Sequence, residues 1–358
     1  MEVGGYVNFI GCRIPFSMKL QLKKFQPLAH DIIFVDGLWG SGKSVLSPIV
    51  NSMKKVEMVK FEMVYEYTCI MLSLNQITPE AASFILQSYA DDSQYSNLIG
   101  RHTNLRWNDA SGLANNPNKL KSIKRLFGRE GDQKIHEINT NNIALHIMTH
   151  MIMLVSDQLF VTYGKRLKLV EIVRHPLYMV QHWYSYLQRF DSPRELTICI
   201  DHKGNKVPWF AITWADEFIQ ATLMDRVLMA IVRLSVWLED SIKKATINGN
   251  KVLVLSFESL VMTPAKPLDQ LEVFLERNHH PDLQSILRRE KIPRKLISDG
   301  KGHSAYGWKL SDNKSEAHDY EQNLNFVKAH GSIEHVNNLL KLIEAYNAKY
   351  PSELANYQ

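Results

Sequence analysis

The sequence predicts an α/β fold in which a parallel β-sheet is flanked by helices. Three short apolar runs, at residues 32–35, 167–173 and 252–257, have the character of strands that are covered on both faces. A fourth run, at 56–61, follows the first predicted helix and would complete a β-α-β unit. Most of the remaining chain has helical periodicity, which would supply the layers on either side of the sheet.

A long region with a helical pattern, residues 65–163, separates the early strands from the later ones. It is interrupted by Pro79 and Gly100, which end or bend helices. No repeat or linker divides the chain. We therefore expect one domain over residues 1–358, with residues 65–163 forming a helical insertion or lid within it.

A hairpin and two helices are also predicted. Residues 196–200 and 206–210 flank a polar turn and predict a β-hairpin that lies apart from the main sheet. Residues 213–247 and 333–346 show the apolar spacing of helices, the second ending before a proline.

Composition excludes several classes of protein. The 42 basic and 37 acidic residues give a net charge of +5, which suits an anionic ligand without indicating nucleic acid. The three cysteines, Cys12, Cys69 and Cys199, are too scattered for a disulfide framework or a zinc site, so we expect a reducing, cytoplasmic environment. The apolar run at 147–155 is too short to span a membrane, which takes about 20 residues.

The most informative motif follows the first predicted strand. Its spacing, Gly37-x4-Gly42-Lys43-Ser44, lets successive backbone N–H groups surround a phosphate, with a lysine and a helix N-terminus adding positive charge. This motif predicts a P-loop sheet of the nucleotide-kinase type. The candidate phosphate-binding residues are Gly37, Trp39, Gly40, Ser41, Gly42, Lys43 and Ser44.

A second anion site is predicted where the run at 167–173 ends. Arg174 follows this strand directly, and Pro176 then opens an aromatic-rich helix. In an open α/β sheet, phosphate binds at the carboxyl ends of the strands, next to helix N-termini. Arg174 is therefore a candidate phosphate ligand.

These segments together resemble the P-loop sulfotransferases. The Arg174-x-Pro176 strand end, the turn around Glu258 and the Lys301-Gly302 loop match elements of that family in order and spacing. The resemblance implies that 3′-phosphoadenosine 5′-phosphosulfate is the co-substrate, that no metal is needed and that the acceptor carries a hydroxyl, on a carbohydrate, a peptide or a small molecule. It further implies that the 3′-phosphate is held by Arg174, Lys301, Gly302 and the residue eight places after the arginine. That residue is a serine in the family and is His182 here, with Ser185 one turn further on.

The phosphate loop departs from the family in the place of its basic residue. Many sulfotransferases carry that residue three positions before the place of Lys43, whereas Gly42-Lys43-Ser44 is the arrangement of kinases. The same loop would serve ATP, with Mg²⁺ on Ser44. An ATP-dependent kinase and a nucleotide-binding module without catalysis therefore remain as alternatives. A kinase would want an acidic residue where a buried strand ends, and the runs at 167–173 and 252–257 end without one.

Sulfuryl transfer to a hydroxyl needs a general base. Glu62 is the first candidate, because the protein-tyrosine sulfotransferases place a catalytic glutamate at a similar distance past the phosphate loop. Glu66 is one helical turn further and is the second candidate. The cytosolic sulfotransferases use a histidine, and by that analogy His102 is the third, with Arg101 and Arg106 beside it.

His146 and His150 have the spacing of two metal ligands on a helix. They lack the glutamate of the His-Glu-x-x-His pattern, and their neighbours are apolar. We therefore expect them to be core residues of a helix and expect no metal site.

Overall fold

The computed structural model describes residues 6–9, 12–15, 22, 24, 26–106, 111–113, 119–128, 131–190, 192, 195–299 and 315–352. Its main feature is a sheet of five strands in the order β4-β5-β3-β6-β9, and every neighbouring pair in it is parallel. Two small antiparallel pairs, β1 with β2 and β7 with β8, lie apart from it. The strands are β1 Tyr6–Phe9, β2 Cys12–Pro15, β3 Ile32–Asp36, β4 Lys60–Phe61, β5 Leu145–Met148, β6 Leu167–Val173, β7 Cys199–His202, β8 Asn205–Pro208 and β9 Val252–Ser256.

Helices cover both faces of the sheet. Right-handed connections between parallel strands place α1 on one face and α6 and α9 on the opposite one. The helices are α1 Lys43–Asn51, α2 Val64–Ser73, α3 Pro79–Leu98, α4 Lys119–Leu126, α5 Asp132–Asn141, α6 Asp157–Tyr163, α7 Val180–Gln188, α8 Ala215–Gln220, α9 Leu223–Ile247, α10 Phe257–Met262, α11 Ala265–Leu275, α12 Leu283–Arg289, α13 Glu316–His330 and α14 Ile333–Lys349.

The predicted α/β class and parallel sheet are confirmed. Strand β6 has the predicted bounds, and β3 extends the predicted run by Asp36. Strand β9 ends at Ser256, one residue early, because the Ser256 hydroxyl accepts a bond from the N–H of Ser259 and starts α10. The predicted strand at 56–61 is reduced to the two residues of β4 and an isolated bridge from Val56 to Ala144.

The helical interpretation of residues 145–148 is wrong. These residues form β5, which pairs with β3 and β4 in the centre of the sheet, and all four are buried. Periodicity cannot separate a short buried strand from a helix, and the surrounding helices α2 to α6 hid this one. The division of the chain into a domain and an insertion stays a prediction.

The predicted hairpin and the helix predicted over 213–247 are present with changed bounds. The hairpin forms as β7 and β8, outside the main sheet. The helix expected over 213–247 is broken at residues 221–222, where the Thr222 hydroxyl caps the N–H of Asp225 and begins α9. In the part of the chain that the structure describes, no helix combines the length and the apolarity needed to cross a bilayer.

His146 shows how a polar side chain is accommodated in this core. It lies on β5 with no exposed surface, and its Nδ1 is 2.8 Å from Oδ1 of Asn51, which also accepts a bond from the N–H of Val59. Burial lowers the pKa of His146 to about 3, so the ring stays neutral in the folded protein. An unfolded histidine takes up its proton near pH 6.5.

Replacing His146 with asparagine, which retains a donor to Asn51, should flatten the acid side of the stability profile. Between about pH 6.5 and pH 3, the unfolded wild type binds a proton at His146 that the folded state excludes. Each unit by which the pH is lowered in this range therefore reduces the free energy of unfolding by up to about 1.4 kcal/mol. Urea unfolding of both proteins at pH 7 and at about pH 4.5 measures the difference. A wild-type advantage that stays constant between these two pH values would contradict a neutral buried His146.

Candidate active site

The predicted phosphate loop, residues 37–44, connects β3 to α1 at the carboxyl edge of the sheet. Gly40 and Gly42 have φ angles of +81° and +106°, which only glycine adopts easily. The N–H of Ser41 donates to the carbonyl of Leu38 over 3.1 Å, which tightens the turn. Helix α1 then starts at Lys43, and the carbonyl of Gly42 accepts the N–H groups of Val45 and Leu46 over 2.9 Å and 3.2 Å. The N–H groups of Lys43 and Ser44 precede these first helical bonds, at the end of the helix where backbone donors lack helical acceptors.

Each glycine of the loop is in contact with another element. A Cβ on Gly42 would overlap the ring of Phe257, one on Gly37 would lie 2.5 Å from the carbonyl oxygen of Ile172, and one on Gly40 would lie 3.1 Å from Cβ of His182. The loop is therefore held between β6, α7 and α10, and no side chain fits at these positions.

Trp39 anchors the loop in the core. Its ring centroid lies 4.4 Å from that of Trp183, 3.9 Å from that of Tyr186 and 5.6 Å from that of Phe210. The side chain thus packs into an aromatic cluster, which leaves the backbone as the part of Trp39 that faces the loop interior. Its predicted contact with a nucleotide stays a prediction.

Lys43 is folded back over its own loop. The ammonium donates to the carbonyl oxygens of Gly37 and Leu38 over 2.6 Å and 2.8 Å. Burial lowers the pKa of Lys43, and the carboxylates of Asp36, Glu171 and Glu66 oppose that shift. A phosphate in the loop would offer the ammonium stronger acceptors than two neutral carbonyls.

Two buried carboxyl groups beside Lys43 were missed in the sequence. Asp36 accepts bonds from the Thr149 hydroxyl over 3.0 Å and from the N–H of Met153 over 2.8 Å, and it faces Glu171 across the β3–β6 pair. Burial raises the pKa of both carboxyl groups. The available signals were Asp36, directly after the run at 32–35, and Glu171, within the run at 167–173.

Arg174 directly follows β6 and lies against the phosphate loop. Its Nη1 donates to the carbonyl of Gly40 over 2.9 Å, and its guanidinium carbon is 4.4 Å from the centroid of the Phe257 ring. Burial lowers the pKa of Arg174. Within the described residues, Arg174 Nε and the Ser41 hydroxyl are buried without hydrogen-bond partners, so both can bind a ligand.

A second arginine, Arg294, shares the Phe257 ring and was missed in the sequence. Its guanidinium carbon is 5.4 Å from the ring centroid, and Nη1 donates to the carbonyl of Ile297 over 2.9 Å. Burial and the charge of Arg174 lower the pKa of Arg294 to about 10. The signal was weak, because basic residues are frequent throughout residues 288–295.

The remaining predicted residues of this site divide into two groups. His182 is placed by α7 next to Gly40, and Ser185 lies one turn further along that helix. Lys301 and Gly302 lie outside the described residues.

The first and third candidate bases, Glu62 and His102, lie together near the edge of the sheet. The Ser93 hydroxyl donates to Glu62 over 2.8 Å, and the ammonium of Lys60 donates to the carbonyl of His102 over 2.7 Å. Burial raises the pKa of Glu62, which the nearby Lys60 and His102 counteract. Glu62 directly follows β4, which is separated from β3 by β5, so it begins two strand spacings, about 10 Å, from the phosphate loop strand. His102 follows α3 and is placed beside β4 by the bond from Lys60.

His150 and Glu66 form a pair that lies nearer to the loop. His150 follows β5, the direct neighbour of β3, and the next residue, Met151, donates its N–H to the carbonyl of Gly37 over 3.3 Å. Glu66 Oε1 accepts the backbone N–H of His150 over 2.8 Å and lies 3.2 Å from its Nδ1. The imidazole is 35% exposed. The expectation that His150 is a core residue of a helix is therefore wrong, because a strand end presents it to the site.

A small cavity of about 80 Å³ adjoins the loop on the side of α9 and α14. Ser41 and Arg174 line one wall, and Leu238 and Tyr346 line the other. A larger cavity of about 310 Å³ lies at the opposite, amino-terminal edge of the sheet and takes no part in this site.

Replacing Gly42 with alanine should unfold the loop, because the new Cβ meets the Phe257 ring in addition to the strain of a positive φ. We expect Gly42→Ala to reduce the free energy of unfolding by about 1–3 kcal/mol more than Gly249→Ala. Gly249 is a matched control, since its φ is +72° and a Cβ there meets nothing within 4 Å. Equal losses in urea unfolding would show that the packing against Phe257 is not tight.

The chain aligns with solved structures of sulfotransferases. The sulfotransferase domain of the Synechococcus PCC 7002 olefin synthase aligns over 92% of this chain and 98% of its own, at 11% identity and a TM-score of 0.39. Mouse sulfotransferase SULT7A1, solved with PAP, aligns over 98% of this chain and 97% of its own, at 12% identity and a TM-score of 0.36. Sulfotransferase STF1 of Mycobacterium tuberculosis H37Rv aligns over 82% of this chain and 76% of its own, at 12% identity and a TM-score of 0.34. No protein-family model and no curated protein matches the chain.

Proposed function

We propose that this protein transfers a sulfuryl group from 3′-phosphoadenosine 5′-phosphosulfate to a hydroxyl acceptor. The observation that carries the proposal is the pair of guanidinium groups on Phe257, one of which is bonded to the phosphate loop itself. The loop accounts for one anionic group. A second concentration of positive charge beside it suits a nucleotide that carries phosphate at two positions of its ribose.

The residues of the site divide between the two anionic groups. The loop N–H groups and Lys43 would hold the 5′-phosphosulfate, with the Lys43 ammonium leaving the carbonyls of its own loop to do so. Arg174, His182 and Arg294, together with Lys301 and Gly302, would hold the 3′-phosphate. The buried Ser41 hydroxyl and Arg174 Nε supply further donors on this side.

His150 is the base that the geometry favours. Glu66 Oε1 lies 3.2 Å from Nδ1, which keeps the proton on that nitrogen and leaves Nε2 able to accept one. In the transfer, the acceptor oxygen bonds to sulfur, the bond from sulfur to the bridging phosphate oxygen breaks, and the acceptor proton moves to Nε2. The 3′,5′-bisphosphate leaves with its new charge stabilised by Lys43. Glu62 and His102 are the alternative bases, one strand further out.

The alternatives make different demands on the same residues. A kinase would hold Mg²⁺ near Ser44, yet the nearest strand-end carboxylate, Asp36, is buried and bonded to Thr149 and Met153. A binding module without catalysis would bind nucleotide and leave the His150 and Glu66 pair without a role.

The bisphosphate 3′,5′-ADP should stabilise the protein without metal, and Arg174→Ala should weaken this effect. At a hundred times its dissociation constant a ligand adds about 2.7 kcal/mol to the free energy of unfolding. Loss of charged hydrogen bonds should raise that constant about tenfold or more. Thermal unfolding with the bisphosphate, and separately with ATP and Mg²⁺, measures both effects.

Arg166→Ala is the matched control for this experiment. Arg166 precedes β6, donates to the carbonyl of Ala29 over 2.7 Å and stacks on Tyr163, but it lies at the other edge of the sheet. The Arg166→Ala variant should be less stable than the wild type but should still be stabilised by 3′,5′-ADP to the same extent. Stabilisation by ATP and Mg²⁺ alone, unchanged in Arg174→Ala, would overturn the sulfotransferase proposal in favour of the kinase.

His150→Ala should lower the rate of sulfuryl transfer by about 10²–10⁴ while nucleotide binding stays intact. Glu66→Gln should retain part of the rate and change its pH profile, because Glu66 acts through His150. Single-turnover assays against a panel of hydroxyl acceptors, run beside Glu62→Gln and His102→Ala, identify the base. A full rate in His150→Ala, with loss in Glu62→Gln or His102→Ala, would identify Glu62 or His102 as the base instead.

A further inference from the structure

Helix α4 presents its apolar side chains to solvent. Leu120 is 75% exposed and Phe127, one residue past the helix, is 86% exposed, with Ile123 between them. At about 100° per residue, these three side chains fall within an arc of about 60° on one side of the helix. A surface helix normally turns such a stripe toward the core.

The contacts that attach α4 to the rest of the protein lie outside the apolar stripe. Arg125 donates to both carboxylate oxygens of Glu57 over 2.6 Å and 2.7 Å, and Leu126 packs against Gly100. A bidentate arginine–carboxylate pair that is largely buried fixes the rotation of the helix. The apolar stripe is therefore held outward by a specific contact.

Positive charge borders the stripe. Lys119 and Lys124 are exposed on its two sides, and residues 119–128 contain no acidic residue. The cavity of about 310 Å³ at the amino-terminal edge of the sheet lies directly beside α4. Lys54 and Lys55 line it, and so do Arg125 and Glu57, which neutralise each other. A negatively charged surface would meet lysines around the stripe and further cations next to it.

We propose that α4 docks this protein on a membrane surface that contains anionic phospholipid. A short helix with an outward apolar stripe and flanking lysines has the chemistry of an interfacial anchor, in which apolar side chains enter the headgroup boundary and lysines contact the charged headgroups. Three apolar side chains are few for a stable protein interface, which buries about 800 Å² on each partner. The inference does not depend on the reaction that the phosphate loop supports.

Sedimentation with lipid vesicles tests the proposal. The full chain should bind vesicles of phosphatidylserine and phosphatidylcholine, mixed at about 3 to 7, at least tenfold more tightly than pure phosphatidylcholine vesicles, and salt should weaken the difference. The double variant Leu120→Ser/Phe127→Ser should lose about tenfold in binding to the mixed vesicles. Lys119→Glu/Lys124→Glu should remove the preference for phosphatidylserine.

Two control variants carry the same chemical changes elsewhere. Val273→Ser/Ile333→Ser removes exposed apolar side chains from α11 and α14, and Lys328→Glu/Lys341→Glu makes the same change in net charge on α13 and α14. Both should bind vesicles like the wild type. No binding of the wild type to either kind of vesicle, or equal losses in the control and α4 variants, would overturn the proposal. Circular dichroism confirms that each variant is folded.

Discussion

Parallel pairing of β3 with β5 on one side and β6 on the other is the constraint on which the site depends. The carboxyl ends of parallel strands meet at one edge of a sheet, so residues far apart in the chain are brought together there. The phosphate loop leaves β3, His150 follows β5, and Arg174 follows β6. Pairing of β6 with β9 then adds Phe257, on which the arginines lie. A change in the order of these strands would separate every group of the site.

Phe257 combines a structural and an electrostatic role. Its ring fills the space that a side chain at Gly42 would need, and its face lies under the guanidinium groups of Arg174 and Arg294. Attraction to an aromatic face offsets part of the repulsion between the two cations. An anion bound near both guanidinium groups would relieve the remaining repulsion. The packing that shapes the loop therefore also gathers the charge beside it.

The sequence predicts the parts of this fold whose local pattern is unambiguous. The bounds of β6, the phosphate loop and the place of Arg174 follow from an apolar run, a glycine spacing and a strand end. Strand β5 does not follow, because four buried residues among helices have no period of their own. The four-residue spacing of His146 and His150 then suggested a helix, which concealed His150 at the end of a strand. The distance of Glu62 from the loop depends on the order of strands, which only the tertiary structure supplies.

The position of Lys43 has a consequence for selectivity among anions. Its ammonium donates hydrogen bonds to two carbonyls of its own loop. Because these carbonyls are tethered beside the ammonium, they compete with any anion for it at a high effective concentration. A visiting anion has to outcompete them. Anions of low charge gain too little from the exchange, whereas a group that carries several charged oxygens gains enough. On the proposed function, the loop would thereby set a threshold of charge for its ligands without any side chain that contacts and rejects the weaker ones.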